Sequence, residues 1–150
     1  MTTRSRPDPA FVQQTFGPYA DPLVTKEDRA ASYRQMAGFL PPRVEARLDV
    51  TGALDPLMVE LQEKVRAHAL ETAHFDDKQV QLLIFAMLVA ELSDAAVIHG
   101  VAARRAGASW HEMQAVVNLA FVFRGVSAAN RGAEMLIRIA ERERELAAQA

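Results

Sequence analysis

The stretch Leu82-Leu83-Ile84-Phe85-Ala86-Met87-Leu88-Val89-Ala90 decides the fold. It is apolar on nearly every face of a 3.6-residue helix and shows no strict alternation of apolar and polar residues, so it reads as a central helix. It is far too short to cross a bilayer, which needs about 20 apolar residues. Asp76-Asp77 opens it. Ser93-Asp94 punctuates it on the other side, and a second stretch, Ala95–Ala106, comes next. That stretch is rich in alanine and contains Gly100, and small side chains let helices approach closely. Gly107 ends it in the position expected of a helix terminator.

Working outward, helix signals recur on both sides. Ser109-Trp110-His111-Glu112 has the pattern of a capping box. The apolar run Val116–Phe123 comes after it and should carry that helix into the core as far as Gly125. Ser127 is the expected cap of a last helix bearing Met135, Leu136 and Ile139, whose tail Glu141–Glu145 alternates charge and reads as a solvated face. Upstream, Asp55-Pro56 pairs a cap residue with proline at the first helical position, and Leu57, Leu61 and Val65 then recur at helical spacing. Thr25-Lys26-Glu27-Asp28 is another helix start, a hydroxyl cap with acids in the first turn. That helix should run to about Gly38 and be stopped by Pro41-Pro42. Arg43–Gly52 is ambiguous. Before residue 25, Pro7, Pro9, Pro18 and Pro22 interrupt regular structure, while Phe11, Val12, Phe16 and Tyr19 argue for an arm that packs on its own body or on a neighbouring subunit. The expectation is an all-α protein of about six helices: an irregular N-terminal arm over 1–24 and a single all-α domain over 25–150.

Composition bounds the chemistry. The 150 residues are 50% hydrophobic and 24% charged, with a formal net charge of −2. These are values of an ordinary soluble domain, and no basic stripe suggests nucleic acid or an acidic membrane as a partner. There is no cysteine. Disulfides, thiolate metal sites and thiol nucleophiles are thereby excluded together. The polar, proline-containing start lacks the apolar segment of a secretory signal, so a cytoplasmic location is expected. His68 and His74 with Asp76 and Asp77 fit no specific ligand spacing, and no metal is expected.

Four pieces between about Leu57 and Ile139 match, in order, a known pattern. The first is the apolar helix at Leu82–Leu88. The second is His99 followed by Ala102, Ala103 and Ala106-Gly107-Ala108-Ser109. The third is Glu112 with the apolar run to Phe123, and the fourth is Gly125-Val126-Ser127-Ala128-Ala129-Asn130. In these pieces the chain resembles the carboxymuconolactone decarboxylase family, over about residues 57–139. The resemblance implies an AhpD-like helical bundle and a homo-oligomer, a trimer or hexamer, with sites between subunits. The family's peroxidase branch ends its Cys-x-x-Cys-x-x-x-His motif at the position of His99. Here Leu92 and Ala95 occupy the two cysteine positions, and neither can form a thiolate or a disulfide. The decarboxylase branch needs no cofactor. The resemblance then implies a lyase or isomerase acting on a small carboxylate or lactone. Val80-Gln81 stand where that branch has an Arg-Ser pair, Ala95 where it often has a carboxylate, and Asn118 where a histidine or glutamine is common.

On this reading His99 is the general acid/base, suited to proton transfer near neutral pH and sharing a helical face with Ala95, Ala102 and Ala103. The bland alternative is a packed core histidine. Glu91 and Asp94 are the nearest acids and candidates to orient the imidazole. Glu91 would share the face of His99 only in an unbroken helix, and Asp94 could instead cap the second stretch. Arg124 could hold a substrate carboxylate, or simply complement the carbonyl end of its helix. Asn118, in an apolar stretch, would need a partner if buried and could face substrate. Trp110 and His111 read as surface packing or a subunit contact. The competing function is a non-catalytic helical oligomer that binds a small molecule or a protein partner.

Overall fold

The computed structural model describes residues 6–150, which form eight helices and, among the described residues, no strand. The all-α expectation holds. The two helices beyond the expected six are α1 (Pro9–Phe16) and α3 (Pro42–Leu54), and both begin on a proline. Proline disrupts a helix interior but suits the first turn, where its missing N–H would have no partner. Asp8 caps α1 by accepting from the Ala10 amide at 3.0 Å. The arm is therefore partly helical. Pro41-Pro42 likewise do two things: α2 (Lys26–Ala37) stops before them and α3 starts on them.

The chain divides into two compact units. The first comprises the residues up to Gln35 with Phe39–Glu71. Within it α3 packs on α1 and on α4 (Pro56–Leu70). The arm lies on its own unit: the Ala20 amide donates to the Gly52 carbonyl at 2.9 Å, and the Tyr19 ring covers Gly52 so closely that a Cβ there would meet it at 2.3 Å. Arg29 ties the same segment down by donating to the Tyr19 hydroxyl at 2.9 Å and to Asp21 at 2.7 Å. Tyr33, buried, donates to Glu63 at 2.6 Å. Burial, helped by that carboxylate, pushes its phenol up to about 12.

The second unit comprises Met36–Gly38 and Thr72–Ala150. Its body is α5 (Asp77–Ala90), α6 (Ala96–Arg105), α7 (Trp110–Arg124) and α8 (Val126–Gln149). Helix α5 packs on α6 and α7, and α8 packs on α6 and α7. The core is Phe85, Val89, Val101, Met113, Val117, Met135 and Ile139, all essentially sealed from solvent. Two glycines set the spacing around α8. A Cβ at Gly132 would lie 2.5 Å from Cγ1 of Val117, and one at Gly100 would lie 2.2 Å from Cδ1 of Ile139. A β-branched valine has little freedom to withdraw, so α7 and α8 can approach this closely only over glycine.

Most of the expected caps are present. Asp76 and Gln79 form a capping box on α5, and Ser109 and Glu112 form one on α7. Ser127 does not cap α8; the helix begins at Val126, directly after Gly125, without a side-chain cap. The end of α7 also differs from expectation. Leu119, Val122 and Phe123 are 65%, 69% and 87% exposed, so the apolar run does not end in the core. No helix among the described residues is long and apolar enough to cross a membrane.

Candidate functional site

His99 lies on α6, within the first turn and a half after the break from α5. That break is built from a left-handed residue. Leu92 has φ +57°, its amide donates to Val89, and the Ser93 amide reaches back to the Leu88 carbonyl at 2.9 Å. This pairing ends a helix when the residue after the cap is left-handed, a place that favours glycine. Leucine there costs on the order of 1 kcal/mol.

The break decides the fate of Glu91. Helix α5 ends at Ala90 and α6 begins at Ala96. Glu91 is the exposed cap of α5, so the unbroken helix that would place it on the face of His99 does not exist. Asp94 does not cap α6 with its side chain either; α6 carries no side-chain cap bond. Its carboxylate instead accepts from Arg131 and, at 3.0 Å, from Arg138 on α8, and Arg131 also pairs with Glu134. Asp94 therefore fastens the α5–α6 turn to α8.

One partner of His99 is Gln81. The Nδ1 of His99 lies 2.9 Å from Oε1 of Gln81. Gln81 is 7% exposed, on the stripe that also carries Phe85 and Val89. A buried amide must find a partner, and this one finds the imidazole. The oxygen only accepts, so Nδ1 donates, and in the neutral ring Nε2 holds the lone pair. A neutral amide on α5 thus contacts the ring, a residue not among the expected orienting groups. Sequence reasoning missed it, although a glutamine at the i−4 position from Phe85, on an otherwise apolar stripe, was a visible signal.

The remaining candidates lie on α7. Asn118 is exposed and accepts a hydrogen bond from Gln114, one turn earlier, at 2.9 Å. Arg124 is exposed in the last turn of α7, where its charge complements the carbonyl end of the helix. At the other end, Arg104 stacks over Trp110 at 4.1 Å and bonds Glu143 at 3.0 Å, which makes Trp110 a packing residue. Lys78 donates to Glu112 at 2.8 Å. That bond, with the Ser109 amide, pulls the Glu112 carboxyl down to about 2. Among the described residues no group of three or more His, Asp or Glu is placed to hold a metal ion. A cavity of about 240 Å³ in the first unit is lined by Pro9, Tyr19, Lys26 and Asp49 and by none of the candidate residues.

Compared with known proteins, the chain matches no family model, no curated protein and no solved structure.

Proposed function

We propose that the protein is a carboxymuconolactone decarboxylase-like enzyme, a cofactor-independent lyase or isomerase acting on a small carboxylate or lactone. The observation that carries this reading is the oriented His99–Gln81 pair on adjacent helices. The motif order around His99 supports it. In decarboxylation the bond to the substrate carboxylate breaks, CO₂ leaves, and the electron pair remains as a dienolate. A proton must then reach carbon. His99 first takes a proton from water on Nε2, becoming imidazolium, and then passes that proton to carbon and returns to the neutral ring, while Gln81 keeps the ring from turning. Arg124 is assigned to the substrate's carboxylate. The test is turnover of 4-carboxymuconolactone, followed as CO₂ release. His99→Ala is expected to lose roughly 10²–10⁴-fold, the usual worth of general acid–base catalysis. Equal rates in both proteins would remove His99 from the mechanism, and no turnover by either would assign the site to a different substrate.

A second reading is a helical protein that binds a small molecule or partner without catalysis. It is favoured by the engagement of Asp94 with Arg131 and Arg138 and of Asn118 with Gln114, which gives two of the expected polar groups structural tasks. Binding of the lactone with unchanged affinity in His99→Ala, and no turnover, would select it.

A further inference from the structure

Helix α4 carries an exposed apolar stripe. Leu57, Met58, Leu61 and Val65 are 61%, 43%, 48% and 71% exposed. At 100° per residue they fall within an arc of about 100°, the width of a face that normally meets another element. His68 continues the arc one turn on. The opposite side of the helix carries the buried Val59. The stripe is therefore a second apolar face on a helix that has already used one.

We infer that this stripe is a two-fold contact with α4 of a second copy of the chain, the helices running antiparallel. Three observations favour another copy. First, the stripe is close to self-complementary about Leu61. With the axis there, Leu57 faces Val65 of the second copy and Leu61 faces its own counterpart. Two-fold contacts require one patch to fit itself in this way. Second, the charges fit only one direction. Glu60 and Lys64 sit on the same flank and already pair with each other at 2.6 Å. Antiparallel packing brings like flanks together, so each Glu60 comes alongside the other copy's Lys64. Parallel packing would set that flank against Gln62, with no charge to meet. Third, the area is sufficient. The four side chains leave on the order of 400 Å² per copy, and their rim of Glu60, Gln62, Lys64 and His68 raises a two-fold contact to about 1,200 Å², where specific interfaces begin. An interface of that size gives a concentration-dependent association.

The absence of cysteine makes the test clean, because a single introduced thiol has no competitor. Sedimentation from micromolar to submillimolar concentration should show an assembly whose mass is halved by Leu61→Glu and left intact by Val122→Ser on the exposed end of α7. Leu61→Cys, a milder change, should form a disulfide-linked pair under mild oxidant at least about tenfold faster than Gln62→Cys, because the axis passes beside residue 61 and holds the two thiols at high effective concentration. Circular dichroism establishes that each variant is folded. A wild-type chain that stays at 16.5 kDa over the whole range overturns the proposal. So does a folded Leu61→Glu variant that keeps the wild-type mass, or equal cross-linking at residues 61 and 62. Halving by Val122→Ser in place of Leu61→Glu would put the contact on α7 and overturn it as well.

Discussion

At the scale of single residues, the structure turns on how one imidazole is held. His99 stands out in the sequence because it closes a motif whose other members are missing. Gln81 does not stand out in that way, since it reads there only as a departure from an expected Arg-Ser pair. The structure gives it a positive task. Its oxygen fixes the proton on Nδ1 and leaves the lone pair on Nε2, the arrangement a proton-transfer histidine needs. The tautomer can be measured without any substrate. In ¹⁵N NMR at a pH where the ring is neutral, His99 should show a protonated Nδ1 and an unprotonated Nε2. Gln81→Leu keeps the side chain of similar size but removes the acceptor, so both tautomers should become populated. An unchanged tautomer in Gln81→Leu would show that some other group sets the ring. Glu91 and Asp94 could not be judged from spacing alone, because their positions depend on a helix break whose geometry rests on Leu92. A leucine gives no warning of a left-handed backbone; a glycine would have.

At the scale of elements, caps were the most legible feature, because they are local chemistry. Asp55, Asp76 and Ser109 each precede a helix, and each accepts the expected amide. Prolines were harder to read. Pro9 and Pro42 start helices, and the same residue type stops them elsewhere, so the meaning depends on the residues after the proline. The α7 cap carries a pH dependence. Lys78 and the Ser109 amide hold the Glu112 carboxyl at about 2, below its ordinary 4.5. The unfolded chain therefore takes up this proton at a higher pH than the folded one. The stabilisation is complete above about 4.5 and is lost as pH falls towards about 2. Thermal unfolding across that range should show the wild type more stable than Glu112→Gln near neutrality, with the gap closing on the acid side. A gap that is constant with pH would mean that the carboxylate's charge contributes nothing and only its hydrogen bonding matters.

At the scale of the whole molecule, the two units differ in how much they bury. The second holds a continuous core from Phe85 and Val89 through Met113 and Val117 to Met135 and Ile139. The first seals little beyond Ala30, Tyr33, Leu48 and Val59, and relies on the arm, the Arg29 contacts and the Tyr33–Glu63 bond. Sequence patterning foresaw the all-α class but not this division, since hydrophobic periodicity marks a helix face without naming what covers it. Val65 on α4 and Phe123 on α7 carry such periodicity, yet both faces are exposed. Local opening tracks buried apolar contact, so the first unit should open at lower free energy than the second. In native-state hydrogen exchange at low protein concentration, amides in the middle of α3 and α4 should exchange well before those of α5, α7 and α8. Raising the concentration should slow α4 selectively if two copies meet on its stripe, because association stabilises only the state that binds. Uniform protection across both units would mean that they unfold as one. Early exchange of α4 that ignores concentration would confirm the weaker core and count against the two-fold contact.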